Sequence, residues 1–256
     1  MYFASHEAEA ITPEFKQLFS AADMIVVEQG FTEDDDLSLN LLSELSQGNL
    51  LIEDVLKVSG IERQLYVDFT RGLLSLIFRS GKSILLERPP FHAGDIAAVY
   101  ALERQVYLDM PVGKACRLVA ENLAKRADFQ RKRDESFVQQ LVDIQAKNAS
   151  SNILVIRGLG HQPSLENALA ASSLVVTSVT SHKAMLVLFT DELIRKIIAG
   201  GRPTRRELLR SLVEQVETRT SAFRPTQAMI RAVRDRVGAM SELQCEKYLR
   251  KKLKLT

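Results

Sequence analysis

The sequence predicts an α/β protein with a largely parallel central sheet flanked by helices, followed by a helical C-terminal extension. Through the first 180 residues, short apolar runs rich in β-branched residues alternate with longer segments of helical periodicity. Near-continuous apolar runs are typical of strands buried on both faces, and their alternation with helices is typical of parallel sheets. After Gly200 and Gly201 the pattern is purely helical.

The predicted strands are short and spread over the first 180 residues: 2–3, 24–28, 83–87, 105–109, 153–156 and 174–177. Helical periodicity between them covers residues 12–22, 61–78, 94–103, 112–146 and 164–171. Thr12 followed by Pro13 is a good helix start, an N-cap with proline in the first turn. Residues 30–60 interrupt the alternation with an acidic run at 33–36, which we interpret as a loop or lid over the sheet edge.

The last part of the chain is predicted to be a basic helical extension. We expect an α/β domain at residues 1–200 and an extension at 201–256 that packs on it or projects from it. The whole chain carries 34 Lys and Arg against 32 Asp and Glu, but residues 201–256 carry 14 against 6. This imbalance favours a solvated helical face that complements an acidic body, and an acidic partner is the alternative. Phe223 and Tyr248 are the two aromatic residues of this segment, too few for a platform on which bases stack, so a nucleic-acid partner is not favoured.

Composition excludes several classes of protein. With 46% hydrophobic and 26% charged residues the chain is not of the disordered type. Cys116 and Cys245 are too few for a disulfide framework and have no zinc-site spacing. No apolar run approaches the roughly 20 residues that span a bilayer, and residues 1–10 lack signal-peptide features. We therefore expect a cytoplasmic protein without a membrane span; its oligomeric state is not predicted.

Candidate site residues lie where the predicted strands end. Glu28, Glu87 and Asp109 each terminate a strand, and the strand at 153–156 runs into a glycine-rich turn that ends at His161. His6 follows the short first strand. Because the carboxyl ends of parallel strands meet at one edge of a sheet, we expect these groups to lie near one another. Two histidines with several carboxylates are typical of a general acid/base or metal site.

Two familiar motifs are excluded by the residues themselves. The segment at His6 begins like H-E-x-x-H, but Ala10 stands where the second histidine is required. Residues 80–83 (SGKS) resemble the end of a phosphate-binding loop, but Leu76 replaces the first glycine and a strand follows where a helix is needed.

Over roughly residues 1–180 the chain resembles the TraB/Tiki superfamily, whose looser relatives include ChaN-like and erythromycin-esterase-like proteins. Residues 22–28 (ADMIVVE) are similar to the family's "AD-x-V-V-V-E" strand, and residues 106–109 (VYLD) to its "V-x-L-I-D" strand. Residues 133–137 (RDESF) are similar to its "R-D-x-x-[FLM]" helix, and residues 153–161 (ILVIRGLGH) to its second G-x-x-H. The first G-x-x-H reads FASH, with Phe3 in the place of glycine.

The resemblance implies a polar site built from His6, Glu28, Arg133 and His161. In the family, such a site holds a divalent metal in peptidases, or activates water through a histidine and a glutamate in esterases. It implies that His6, Glu28 and His161 are metal ligands, that Glu28 and His161 are catalytic, and that Arg133 stabilises an oxyanion or a carboxylate substrate. The expected substrate is a peptide or a small molecule, and the metal's identity is not implied.

A second hypothesis comes from Phe3, which departs from the glycine of the family's first G-x-x-H. The chain is then a non-catalytic binding or regulatory protein that retains the fold. Its basic C-terminal helices are a candidate surface for an acidic partner.

Overall fold

The structure is a computed structural model that describes residues 1–4, 10–28, 35–59, 67–88, 110–180, 188–219 and 227–253, with residues 91, 94, 95, 98, 99, 101 and 107. These residues fall into two compact units. The first is Met1–Pro89 with Asp134–Met185, and the second is Pro90–Arg133 with Leu186–Thr256. Residues 201–256 therefore belong to one compact unit with residues 90–133 and 186–200. The sequence instead predicts a boundary after residue 200.

The first unit is built on a parallel sheet. Its described strands are β1 (Tyr2–Ala4), β2 (Met24–Val27), β3 (Ser83–Leu86), β4 (Ile153–Gly158) and β5 (Val179–Thr180). Their order across the sheet is β3-β2-β4-β1-β5, and every neighbouring pair is parallel. All carboxyl ends consequently meet at one edge, and the predicted α/β fold is confirmed.

The strand register shows which residues share a face of the sheet. Val27 pairs with Ile156 and with Leu86, and Ala4 pairs with Gly158. Because side chains alternate along a strand, residues with this parity project to one face. That face carries the apolar core of the unit, which includes Ile25, Val27, Leu86 and Ile156.

Four helices supply the rest of this core: α1 (Pro13–Ala21), α2 (Asp35–Gln47), α3 (Ile52–Ser59) and α4 (Val67–Ile77). Thr12 caps α1 as predicted, its Oγ1 accepting the Phe15 N–H at 3.1 Å, and Pro13 begins the helix. The interpretation of residues 30–60 as a loop or lid is wrong for the described part. Leu42 and Leu45 of α2 and Leu56 of α3 are completely buried in the core, because each helix has an apolar face that needs covering.

Two further helices of this unit bear on the site. A long helix, α5 (Val112–Lys147), runs through the ranges of both units, and its residues from Asp134 onward belong to the first. Strand β4 continues into a single 3₁₀ turn at Leu159–His161 and then into α6 (Gln162–Ala170).

The second unit is helical in its described residues. It contains the first part of α5 with α7 (Phe189–Ile198), α8 (Arg205–Arg219), α9 (Gln227–Ala239) and α10 (Glu242–Leu253). Its core includes Val119 of α5, Leu209 and Leu212 of α8, and Leu249 of α10. The predicted helical C-terminal part is confirmed.

One predicted strand is wrong and another is untested. Residues 174–177 form no strand, and the Val175 side chain is fully exposed. Pairing starts later, where Val179 meets Tyr2, because β1 supplies only three residues to pair with. The predicted strand at 105–109 lies outside the described residues apart from Tyr107. Among the described helices, none is long and apolar enough to cross a membrane.

Candidate active site at the carboxyl edge of the sheet

Three charged residues reach the same face of the sheet at its carboxyl edge. Glu28 and Glu87 immediately follow β2 and β3, and Arg157 is the penultimate residue of β4. The register makes their parity opposite to that of the apolar core residues, so they project to the other face. Backbone bonds continue the ladder there, from Glu28 N–H to the Ile156 carbonyl at 3.3 Å and from Glu87 N–H to the Val27 carbonyl at 3.0 Å.

Arg157 joins two buried carboxylates. Its Nη1 and Nη2 both donate to Glu87, the second at 3.1 Å, and Nη2 also donates to Asp134 of α5 at 2.8 Å. All three side chains are completely buried. The guanidinium carbon lies 4.4 Å from the centre of the Phe137 ring, one turn after Asp134 on α5. A planar, permanently charged guanidinium suits this bidentate, ring-stacked position.

His161 lies between two carboxylates. Its Nδ1 is 2.7 Å from Oδ1 of Asp134, and its Nε2 is 3.0 Å from Oε1 of Glu28. The 3₁₀ turn after β4 places the imidazole at this edge. The His161 and Glu28 side chains keep 13% and 21% of their exposure, so solvent reaches this pair, whereas Asp134 has none.

A second hydrogen bond holds each of the two carboxylates, Glu28 and Asp134, in place. The other oxygen of Glu28 accepts the Gly158 N–H at 2.7 Å, where β4 ends. The other oxygen of Asp134 accepts the hydroxyl of Ser164, a buried residue in the first turn of α6. Each carboxylate therefore uses one oxygen for His161 and the other for a fixed donor.

The charges oppose the cost of burial. Burial disfavours the imidazolium, yet the charge of Glu28 and the hydrogen bonds to Asp134 and Glu28 raise the pKa of His161 above its ordinary value. Burial likewise works against the carboxylate of Asp134, but its bond from His161 and the charges of His161 and Arg157 lower its pKa. Burial works against the guanidinium of Arg157 too, but the charges of Glu28 and Glu87 and the bond to Glu87 raise its pKa.

This arrangement can move protons at the exposed end. A carboxylate at each ring nitrogen favours the imidazolium form of His161, in which both nitrogens donate. An ionised carboxylate such as that of Glu28 is an acceptor and can take a proton from water. An acid and a base at hydrogen-bond distance, held from behind by buried groups, is the geometry of general acid/base chemistry.

The predicted site residues have different outcomes. Glu28 and His161 are brought together, and Glu87 lies behind them. Arg133 is half-buried on α5 beside Asp134; successive helix residues point about 100° apart, so the two side chains leave the helix in different directions. His6 and Asp109 lie outside the described residues.

Sequence reasoning did not select Asp134, Arg157 and Ser164 as site residues. Arg157 stands in a buried strand, and a lone cation in an apolar run signals a buried charge that needs partners. Asp134 lies in a strongly charged stretch of α5, where nothing in the local pattern separates a buried carboxylate from solvated ones. Ser164 resembles any polar residue of a first helical turn.

The basic residues of the C-terminal helices are partly neutralised within their own unit. Arg205 pairs with Glu242 and Glu246, and Arg234 pairs with Glu192. Arg236 pairs with Glu217 at 2.8 Å, and Arg210 donates to the backbone carbonyls of Gly238 and Met240. These cations stabilise contacts among α7, α8, α9 and α10.

Donors for a divalent metal are present in part. Among the described residues of this edge, Glu28 and His161 are the accessible potential metal ligands. The bond from His161 Nδ1 to Asp134 is the carboxylate support commonly found behind metal-bound imidazoles. The part of the chain that the structure describes contains no group of three or more potential ligands.

Comparison of the chain with protein-family models, curated proteins and solved structures finds no match.

Proposed function

We propose that this protein is a hydrolase of the TraB/Tiki type that cleaves a peptide or ester bond with water activated by Glu28 and His161. One observation carries the proposal, the contact of 3.0 Å between a solvent-accessible carboxylate and an imidazole whose far nitrogen is bound to a buried carboxylate. The sequence resemblance adds the bond type.

In the proposed reaction Glu28 is the base and His161 the acid. Glu28 takes a proton from water as the water oxygen attacks the carbonyl carbon. The imidazolium gives its Nε2 proton to the leaving group as the scissile bond breaks, and the proton on Glu28 then returns to His161. Water is consumed and both groups regain their starting charge. The contributions of such a pair are typically 10²–10⁴-fold each.

A divalent metal gives an alternative form of the proposal, in which Glu28 and the neutral imidazole of His161 are ligands instead of base and acid. Glu28 and His161, joined by His6, would hold it, and a bound metal supplies a water of lowered pKa and a Lewis acid for the carbonyl. Asp134 would then orient His161 from behind as it does in the geometry described. The role that the resemblance implies for Arg133, at the oxyanion or at a substrate carboxylate, stays a prediction. Arg157 is completely buried and reaches neither.

The test combines metal content with a hydrolysis screen. The purified chain is assayed against p-nitrophenyl esters and a mixed peptide library, with and without added Zn²⁺, Mn²⁺ or a chelator. We expect hydrolysis of one substrate class, reduced at least 100-fold in Glu28→Gln and in His161→Ala. Loss on chelation, with metal bound stoichiometrically by the wild type, identifies the metal-assisted form.

Matched controls separate loss of the site from loss of the fold. Glu44→Gln makes the same change at an exposed carboxylate of α2, which accepts a hydrogen bond from the Asn49 side chain at 2.9 Å. Activity that survives in both Glu28→Gln and His161→Ala contradicts the proposal. A folded wild type that hydrolyses neither class favours the non-catalytic alternative.

A further inference from the structure

We propose that Asp134 is the positioning residue of this site, with Arg157, Glu87 and Ser164 acting through it to fix the imidazole of His161. The inference rests on the proposed function for its chemical meaning. Its evidence is the network behind His161, in which the side chains of Arg157, Glu87 and Asp134 are completely buried.

Asp134 is the junction of this network. Its Oδ1 accepts from both His161 Nδ1 and Arg157 Nη2, at 2.7 and 2.8 Å, and its Oδ2 accepts from Ser164. Two donors on one oxygen and a third on the other leave the carboxylate no freedom to rotate. The imidazole bonded to Oδ1 is therefore held in one orientation, with Nε2 towards Glu28.

The rest of the network keeps Asp134 charged and in place. Arg157 is bound by both oxygens of Glu87 and stacked on Phe137, so its guanidinium cannot swing away. Because Arg157, Glu87 and Asp134 are completely buried, none of them touches a substrate. Ser164 lies in the first turn of α6, three residues after His161, and its hydroxyl also lies 3.2 Å from the His161 carbonyl oxygen.

The readout that isolates this role is the Nδ1–H proton of His161. A ring proton donated to a buried carboxylate is deshielded and exchanges slowly with water, because the bond is charge-assisted and sheltered. In ¹⁵N-labelled protein we identify it as the histidine ring resonance that is missing in His161→Gln. We expect it in the wild type and in Glu28→Gln, and we expect it to move upfield or disappear in Asp134→Asn.

A milder pair of variants decides the question if Asp134→Asn does not fold. Ser164→Ala removes one bond to Asp134 and leaves every charge in place. Ser172→Ala makes the same change beyond the other end of α6, where the hydroxyl donates to the Leu169 carbonyl and accepts from the Leu174 amide. We expect faster exchange or an upfield shift of the His161 proton in Ser164→Ala and no change in Ser172→Ala.

The outcomes of this experiment are independent of hydrolysis. A resonance that is unmoved in Ser164→Ala and in folded Asp134→Asn overturns the inference, whatever the activity. A resonance that responds as expected supports it even where no substrate is cleaved, and in that case only the proposed function fails. Where a substrate is found, Ser164→Ala should lower kcat with little change in KM, since the serine does not contact the substrate.

Discussion

Phe3 of β1 and Arg157 of β4 are register partners in the parallel sheet, so both side chains leave it on the same face. Phe3 and the Arg157 side chain are both completely buried, on the face of the sheet that also carries Val26 and Val155. Phe3 stands where the family that the chain resembles has the glycine of its first G-x-x-H. An aromatic ring therefore occupies the strand position next to that of Arg157. We therefore expect Phe3 to shield the ion network of Arg157 from water.

Phe3→Ala should therefore destabilise the protein strongly. The change removes a fully buried ring and opens a cavity beside a buried charge, and such truncations cost about 3–5 kcal/mol. Urea unfolding followed by circular dichroism measures the free energy of unfolding. Phe78→Ala, at a half-buried ring beyond the end of α4, is the control and should cost less. Equal losses for the two variants would contradict a shielding role of Phe3.

The fold was predictable where burial on both faces left a local mark. Met24–Val27 is buried at every position, and an unbroken apolar run is the direct result. The similar run at residues 174–177 shows the limit of that rule. Whether such a run pairs depends on a partner strand far away in the chain, and β1 offers β5 only a short partner.

The site was predictable as far as it is built from strand ends. Glu28, Glu87 and His161 follow from parallel topology, which gathers carboxyl ends at one edge. Asp134 and Ser164 come from helices, and their selection depends on how α5 and α6 pack against the sheet. No local pattern carries that information, so the network behind His161 emerged only from the structure.

Arg157→Met should be among the most damaging single changes in the first unit. It removes the cation that the buried carboxylates of Glu87 and Asp134 share, and breaking a buried ion pair in this way typically costs about 3–5 kcal/mol. The free energy of unfolding in urea is the measurement. Adding Glu87→Gln to Arg157→Met should restore part of the loss, because one unpaired charge is then removed.

The matched control for that change is Arg205→Met. Arg205 also binds two carboxylates, those of Glu242 and Glu246, but its side chain is 50% exposed. Exposed pairs contribute about 0–1 kcal/mol, so this variant should stay close to the wild type. If the two variants lose the same stability, burial of the Arg157 network is not what makes it important.

Glu214 should make the second unit less stable as pH rises. This carboxylate of α8 is 1% exposed; one oxygen accepts the Thr190 N–H at 3.3 Å, and the other has no partner among the described residues. Burial raises the pKa of Glu214 to about 7, against an ordinary value of 4.5. The stabilisation linked to its proton is complete below pH 4.5 and is lost as pH rises towards 7. Glu214→Gln should therefore stabilise the protein at pH 8 by up to about 3 kcal/mol.

Unfolding in urea at pH 5 and pH 8 tests the prediction for Glu214, and Glu217→Gln is its control. Burial opposes the charge of Glu217 too, but hydrogen bonds from Tyr248 and Arg236 lower its pKa below the ordinary value. Its stabilisation is present above pH 4.5 and is lost as pH falls through the lowered value. Glu217→Gln should thus destabilise at pH 8, opposite in sign to Glu214→Gln. Two variants with the same sign would contradict the buried, uncompensated state of Glu214.

His161 should titrate above its ordinary value because it lies between Glu28 and Asp134. Burial lowers the pKa of His161, but the charge of Glu28 and the bonds to both carboxylates raise it above 6.5 overall. The stabilisation from the imidazolium is complete below pH 6.5 and is lost as pH rises through the higher folded-state value. His161→Gln should accordingly cost more stability at pH 6 than at pH 9.

Following the His161 ring Cε1 proton by NMR against pH gives the midpoint of its titration directly. Glu28→Gln should lower that midpoint, whereas Glu166→Gln, at a carboxylate of α6 bonded to Gln162, should leave it unchanged. A midpoint at or below 6.5, or one indifferent to Glu28→Gln, would show that the imidazole does not hold its charge between the two carboxylates.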